Sequence, residues 1–404
     1  MPFRLALSGI NAASADLNVT ANNIANVGTV GFKASRAEFA DLFATSQQGV
    51  SATAVGNGVR VANISQQFAQ GNIDFTDNAL DLALSGQGFF ILSDNGALSY
   101  TRAGTFKVDR NGYVVNHQGL RLQAYPPLEN GSFNTGGLAD IRLITSESPP
   151  RVTSRAELTL NLPAAAEIPL STVFDPADAR SYNNATSLTI YDSLGAAHTA
   201  TLYFVKTGDN QWNAHLYVDG QAVGGPQALT YSNTGELIAP ALGEVSFPPH
   251  DPQTGAADLE LTFDFSATTQ YGQTFTVNAI MQDGYTTGRL IGIDVDASGV
   301  VQARFTNGQS QPLGQIALAN FANPQGLQQL GDTTWAETFA SGQALRGQAG
   351  NSGFGVIQSG ALEASNVDIT EQLVNMITAQ RNYQANAQMI SAANQVTQTI
   401  INIR

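Results

Sequence analysis

The chain has no cysteine among its 404 residues. That excludes a disulfide framework, thiol catalysis and cysteine-ligated zinc, and leaves the fold indifferent to the redox state of its compartment. Charge is scarce too: Lys, Arg, Asp and Glu make up 12% of the sequence, against a usual share of about 25%. What charge there is leans acidic, with 18 basic against 32 acidic residues and a net of −14. A nucleic-acid binder that works by neutralising phosphates is therefore not expected. No run of about 18 apolar residues occurs, so no helix is expected to insert in a membrane. Proline is sparse at 15 residues against 39 glycines, which marks a turn-rich chain and not a proline-rich linker. Apolar residues, at 43%, suffice for real cores and exclude wholesale disorder. The length points to two or three domains.

Chemistry is missing where it was sought. His117, His198, His215 and His250 are scattered, and none has metal-ligand spacing with another. There is no Gly-x-Ser-x-Gly elbow and no phosphate-cradling Gly-Lys-Ser. Gly86-Gln87-Gly88 runs into a strand, the wrong context for a dinucleotide loop. Asp294 and Asp296 could be imagined as a carboxylate pair, but they read better as a strand edge leading into the Ala297-Ser298-Gly299 turn. The expectation is no catalytic residue, no cofactor and no metal site. At the N-terminus, Arg4, Leu5-Ala6-Leu7 and Ala13-Ser14-Ala15 have the outline of a cleaved signal. Ser8, Gly9 and Asn11 interrupt the apolar stretch, however, and Asp16 follows closely, so none is expected.

The charge is unevenly placed. Residues 1–70 and 361–404 together hold six basic and six acidic groups, whereas 145–284 hold four basic against fifteen acidic. Neutral ends suit contact with other chains, and an acidic middle suits a surface that stays in water.

Both ends read as helices. Phe3, Leu7, Ile10, Ser14, Leu17, Ala21 and Ile24 alternate steps of four and three, the narrow seam of a coiled coil, until Gly28 and Gly31 end it. Ile369, Leu373, Met376, Gln380, Tyr383, Ala387, Ile390, Asn394, Thr397 and Ile401 keep the same rhythm, with Asp368 as N-cap and Glu371 in capping-box spacing. Seams that include Ser14, Gln380 and Asn394 are too weak to fold alone and need partners. Between the ends, a transitional stretch with Phe39, Leu42 and Phe43 leads to a turn at 55–59, and the remainder reads as strands. Strands are expected at 89–92, 97–100, 105–108, 113–115 and 120–125, with turns at Asp94-Asn95-Gly96 and Arg110-Asn111-Gly112. Further strands fall at 188–191, 200–205 and 212–218. Half-buried strands are expected where Ala156, Leu158, Leu160 and Leu162, and again Leu259, Leu261, Phe263 and Phe265, alternate with polar residues. Pro149-Pro150 and Asp283-Gly284 mark boundaries around the acidic segment.

Ala21-Asn22-Asn23-Ile24-Ala25-Asn26-Val27-Gly28, running on to Gly31-Phe32-Lys33, resembles the N-terminal signature of the bacterial flagellar rod and hook proteins. Gly360-Ala361-Leu362-Glu363-Ala364-Ser365-Asn366-Val367-Asp368, Glu371-Gln372-Leu373 and Gln380-Arg381-Asn382-Tyr383 resemble the matching tail signature. Asp81-Leu82-Ala83-Leu84, Gly88-Phe89-Phe90 and Arg102-Ala103-Gly104-Thr105-Phe106 resemble the family's inner β domain. The long acidic insertion, with Tyr203-Phe204-Val205-Lys206 and Gln315-Ile316-Ala317-Leu318, resembles the hook branch.

The resemblance implies a multidomain fold: terminal α-helices forming a coiled-coil-like layer, plus two mainly-β domains, the outer one inserted in the inner one. Its boundaries would be 1–30 and 365–404 for the helical layer, 31–71 and 358–364 for the linker region, 72–144 and 285–357 for the inner β domain, and 145–284 for the outer one. It implies a structural, non-enzymatic subunit of a flexible tube, polymerising with copies of itself through Phe3, Leu7, Ile10, Leu17, Asn22, Asn23, Ile24, Asn26, Ile369, Leu373, Met376, Tyr383, Ile390 and Ile401. The implied partners are the distal rod and hook–filament junction proteins, the hook cap during assembly and the flagellar type III export apparatus, with export to the extracellular hook without a cleaved signal peptide. Two other readings stay open at this point: a distal rod protein of the same family, and a secreted β-rich carbohydrate-binding or hydrolytic module.

Overall fold

A computed structural model describes residues 2–42, 56–128, 131–143, 147–171 and 173–402. Phe43, the start of the expected turn at Val55, the expected boundary at 144–145 and the terminal Arg404 lie outside the described residues. The chain is mostly β, with a helix at each end: α1, Pro2–Ala25, and α2, Ile369–Asn402. It divides into two compact units, one of Met1–Thr145, Gly292–Arg304 and Ser310–Arg404, the other of Ser146–Ile291 and Phe305–Gln309.

The first unit is organised on the long strand Ser310–Asn320. That strand pairs antiparallel with Arg121–Tyr125, Phe89–Asp94 and Leu345–Gln348. Phe89–Asp94 and Ala97–Thr101 form the expected hairpin. Its turn holds Asn95 and Gly96 at φ of 49° and 102°, left-handed values that Asn and Gly tolerate best. The core is aromatic. Phe89 meets Phe68, Phe321 and Trp335 edge to face with centroids 5.6–5.8 Å apart, the arrangement that ring quadrupoles favour. The expected strands at 105–108 and 113–115 shrink to Lys107–Val108 and Val114–Val115. Two short pairings carry the chain back toward α2: Val356–Ser359 on Leu82–Ser85, and Ala361–Glu363 on Ile73–Phe75.

The second unit is a sandwich. One sheet centres on Arg155–Pro163, which pairs parallel with Thr262–Asp264 and Thr269–Tyr271 and antiparallel with Thr276–Gln282. The other runs Asn184–Tyr191, Ala197–Gly208, Gln211–Val218, Gln227–Tyr231 and Leu237–Ala239. Because side chains alternate across a strand, Ala156, Leu158, Leu160 and Leu162 all point inward, where they share one core with Leu202, Phe204, Trp212, Leu216, Phe263 and Phe265. Each such large apolar side chain contributes about 1.5–3 kcal/mol on full burial. The alternation over 259–265 survives in burial, although only Thr262–Asp264 is strand.

Asp294 and Asp296 do not act as a pair. Asp294 meets Arg304 at 3.2 Å, and Asp296 Oδ1 accepts from the amides of Ser298 and Val300, which makes it a turn residue.

Candidate polymerisation site

The Asn-rich end of α1 works structurally. Asn26 Nδ2 donates to the Asn22 carbonyl (2.9 Å), and Thr29 Oγ1 donates to Asn26 Oδ1 (3.1 Å), which closes the last turn. Asn23 is buried and fully engaged. Its Nδ2 donates to the Ser35 carbonyl (2.7 Å) and to Gln372 Oε1 of α2 (3.1 Å), and its Oδ1 accepts from the Ser35 amide (2.9 Å). α2 starts as expected: Asp368 Oδ1 accepts from the amides of Thr370 (2.7 Å) and Glu371 (3.1 Å), an N-cap.

The two helices lie side by side. Asn23 meets Gln372, and Gly9 abuts Asn386 so closely that a Cβ on Gly9 would overlap its amide. The contacts are 14 residues apart on each helix and run in opposite order, so the pair is antiparallel. Fourteen residues are two heptads, about 21 Å of helix. The buried residues of α1 are small or polar apart from Val19: Ala6, Ala12, Ala13, Thr20 and Asn23 join it.

The large apolar residues lie elsewhere. Phe3 and Leu7 are exposed on α1, and Ile369, Leu373, Val374, Ile377, Tyr383, Met389 and Val396 are exposed on α2. Of the other expected site residues, Ile10, Leu17, Ile24, Asn26, Met376 and Ile390 are half-buried and Asn22 is exposed. Ile401 belongs to α2, but its side chain lies outside the described residues.

Sequence reasoning quoted, without assigning any role, the residues that fasten the helices to the β fold. Glu363 is fully buried. Its Oε1 accepts from Lys33 Nζ (2.5 Å) and the Gly71 amide (3.0 Å), and its Oε2 accepts from Arg102 Nη1 (3.2 Å). Lys33 Nζ also reaches the Ala69 carbonyl (2.8 Å), and Arg102 Nη2 that of Gly86 (2.8 Å). Among the described residues, Arg102 Nε is a buried side-chain nitrogen without a hydrogen-bond partner. Burial pulls the Lys33 ammonium below the ordinary lysine range, and Glu363 only partly restores it. Gly31, at φ 69°, brings its backbone against that of Ala103, where a Cβ would collide. Asn366 completes the seam: its Oδ1 accepts from the Ala34 amide, and its Nδ2 donates to the carbonyls of Gln67 and Ala69. These residues stand in the quoted signatures, but nothing in their spacing pairs Lys33 with a carboxylate 330 positions away.

A cleft of about 470 Å³ beside the end of α1 is walled by Asn22, Asn26, Phe32, Asp332 and Trp335, and Lys33, its one basic residue, is already bound to Glu363. Among the described residues, no three His, Asp or Glu side chains are grouped to hold a metal ion, and no helix is long and apolar enough to cross a membrane.

Four family models match the chain: the flagella basal body rod protein over 3–33, the flagellar hook protein FlgE/F/G D1 domain over 83–192, the flagellar basal body protein FlaE D2 domain over 161–285, and the flagellar basal body rod FlgEFG protein C-terminal region over 358–403. The chain is 41% identical over 419 residues to the flagellar hook protein FlgE of Escherichia coli K12, with all of both chains covered. It is likewise 41% identical over 415 residues to that of Salmonella typhimurium LT2, again over both full lengths. A crystal structure of Helicobacter pylori flagellar hook protein FlgE2 shares the fold with a TM-score of 0.55 at 14% identity, covering 72% of this chain and 100% of that one. Two helical ends whose apolar side chains face outward, β units between them, and full-length likeness converge on one statement: the chain belongs to the flagellar hook protein family.

Proposed function

We propose that this chain is a structural subunit of the bacterial flagellar hook, and not an enzyme. It self-assembles into a flexible helical tube that joins the rod to the filament and transmits torque. The observation that carries the reading is the division of labour on the two terminal helices. They meet each other through small and polar residues and leave Phe3, Leu7, Leu373, Val374 and Ile377 exposed. Leu373, Val374 and Ile377 cluster at one end of the antiparallel pair and Phe3 and Leu7 at the other, and grouped exposed apolar side chains of this kind mark interaction surface. A second copy is the fitting occupant, because a head-to-tail contact that does not close builds a helical tube. On this reading the helices form the coiled-coil-like inner layer, residues 72–144 and 285–357 the middle, and the acidic 145–284 the outer domain, with 31–71 and 358–364 linking them. Mutual repulsion of acidic outer surfaces suits contacts that slide as the tube bends. Its partners are further copies of itself, the distal rod and hook–filament junction proteins, the hook cap and the type III export apparatus, which delivers it outside the cell.

The test is sedimentation and electron microscopy of the full chain beside a variant lacking 1–30 and 369–404, with circular dichroism of the dilute protein. The intact chain is expected to pellet as tubes and gain helical signal on assembly, because ordering the helices must be offset by burial between copies. A truncated protein that assembles equally well would overturn the reading.

A further inference from the structure

One hairpin of the first unit gathers positive charge. Lys107–Val108 pairs with Val114–Val115, Val115 pairs in turn with Arg121, and Tyr113 and Arg142 face each other in a bridge. These pairings bring Lys107, Arg110, Arg121 and Arg142 together, with Asp109 and Asp140 beside them. Both carboxylates are already used. Asp109 Oδ1 accepts from the amides of Asn111 and Tyr113, at 2.8 Å each, and so holds the turn. Asp140 pairs with Arg121 at 2.8 Å. Lys107, Arg110 and Arg142 are exposed, and among the described residues none of the three has a carboxylate partner. The patch is ordered all the same. The guanidinium groups of Arg121 and Arg142 lie over the Tyr113 ring, 4.1 and 5.6 Å from its centroid, and Arg142 Nε donates to the Asn111 carbonyl (3.3 Å). Cations held in place in this way lose less freedom when they bind.

The sandwich offers the complementary surface. Most of its acidic residues are answered locally: Glu157, Glu244, Asp264 and Asp283 by Arg151 or Arg155, and Asp178 by Arg180. Asp251, Asp258 and Glu260 are not. They are exposed, and residues 247–262 contain no Lys or Arg. His250 and Leu259 pair through both backbone bonds, which makes Asp251 and Asp258 neighbours. Asp258 and Glu260 flank the fully buried Leu259 and point outward, as alternation requires. Thr254 and the Ala257 amide fix the turn to Asp192 and Ser193.

We infer that the basic hairpin around Tyr113 docks, in the polymer, on the acidic turn 250–260 of a second copy. Three unanswered cations meet three unanswered carboxylates, and the proposed function, on which the inference rests, supplies the second copy. Coulomb attraction fades gradually with distance, whereas an apolar contact is lost once water enters. A contact of this kind therefore persists while it lengthens, and it supplies attraction where the acidic surfaces would otherwise only repel.

The experiment measures the critical concentration for tube assembly of the full-length chain by sedimentation. It is run in about 0.1 M and about 1 M salt, between which the screening length falls from about 10 Å to about 3 Å. Lys107→Glu/Arg110→Glu breaks no polar side-chain contact among the described residues. It should raise the critical concentration at least about tenfold in the lower salt and less than about threefold in the higher. Adding Asp258→Lys/Glu260→Lys to the same chain should bring it back to within about threefold of the parent, a coupling that a double-mutant cycle isolates. The melting temperature of the dilute monomers should not move, because the contact lies between copies. Equal critical concentrations for the parent and Lys107→Glu/Arg110→Glu, a loss undiminished in the higher salt, or effects of the two pairs that simply add would overturn the inference. So would the same coupling in the melting temperature of the dilute monomer, which would place the contact within one chain. A parent that forms no tubes overturns the proposed function as well, so the two failures are told apart.

Discussion

Gly9 of α1 and Asn386 of α2 occupy adjoining space with no room between them for a methyl group. The relationship sets how near the two helices come, and its energetics divide cleanly. A Gly to Ala change inside a helix gains about 1 kcal/mol from backbone entropy. Here the added Cβ must push the Asn386 amide aside, breaking its 2.8 Å bond to the Asn382 carbonyl, a loss of about 0.5–1.5 kcal/mol. Gly9→Ala alone should leave the melting temperature of the assembled polymer nearly unchanged. Gly9→Ala with Asn386→Ala keeps the gain without the clash and should raise it. Gly9→Val, whose branched side chain cannot be accommodated by one rotating amide, should lower it clearly. A Gly9→Val polymer as stable as the parent would show that the helices are not held at this distance.

The helices were legible because a 3.6-residue period shows in a single stretch of sequence. Which face meets which partner was not. The 4–3 rhythm through Phe3, Leu7, Leu373 and Tyr383 picks out the apolar stripe, yet within one chain α1 buries Ala6, Ala13 and Asn23, and Leu7 stays exposed. Small residues that permit close approach carry little hydrophobic signal, so periodicity passes over them. The sandwich strands were legible for the opposite reason: Leu158, Leu160 and Leu162 each bury fully and each alternate with a polar residue. The Lys33–Glu363–Arg102 cluster was illegible because pairing across 330 and 261 positions is a property of topology, and a lone charged residue in an irregular stretch reads as solvated.

His198, one of four histidines that sequence reasoning set aside as scattered, is buried in the sandwich between two carboxylates. Its Nδ1 lies 2.6 Å from Asp219 and its Nε2 3.3 Å from Asp192. Asp192 in turn accepts from the Thr254 hydroxyl (2.7 Å), so the cluster ties together three turns at one end of the unit. Burial opposes the imidazolium, but the bonds to Asp219 and Asp192 outweigh it and hold His198 above the usual histidine value. Burial likewise pushes both carboxyls up, and their hydrogen bonds outweigh it and hold them below the usual range. A raised histidine stabilises fully below its unfolded value of about 6.5 and loses that contribution as pH climbs through the folded value. A lowered aspartate stabilises above about 3.9 and loses it as pH falls through the folded value. The sandwich should thus be most stable between about pH 4 and 6.5 and weaken on the alkaline side. His198→Gln should flatten the alkaline limb of a melting-temperature profile and only reduce the acid limb, because Thr254 and the amides of Ala196, Leu194 and Thr199 still donate to the two carboxylates. An unchanged alkaline limb would mean the cluster carries no charge on the ring.

Ser148 and Gly288 sit opposite each other in an isolated bridge. The Ser148 amide donates to the Gly288 carbonyl (2.8 Å) and the Gly288 amide to the Ser148 carbonyl (3.3 Å), and Arg151 and Tyr285 repeat the pairing. The chain thus enters and leaves the acidic sandwich through two adjacent strands, and a cut there can be closed by a short turn. Replacing 149–287 with two glycines should preserve the first unit, whose aromatic core around Phe89, Tyr100 and Trp335 draws on no residue of the excised segment. The truncated subunit should still polymerise, because both terminal helices are intact. On the proposed reading, in which acidic outer surfaces slide past one another, its tubes should be straighter and stiffer than the parent's in electron micrographs. Failure to assemble would place the driving contacts in the sandwich and not in the helices, while tubes of unchanged curvature would move the source of bending inward.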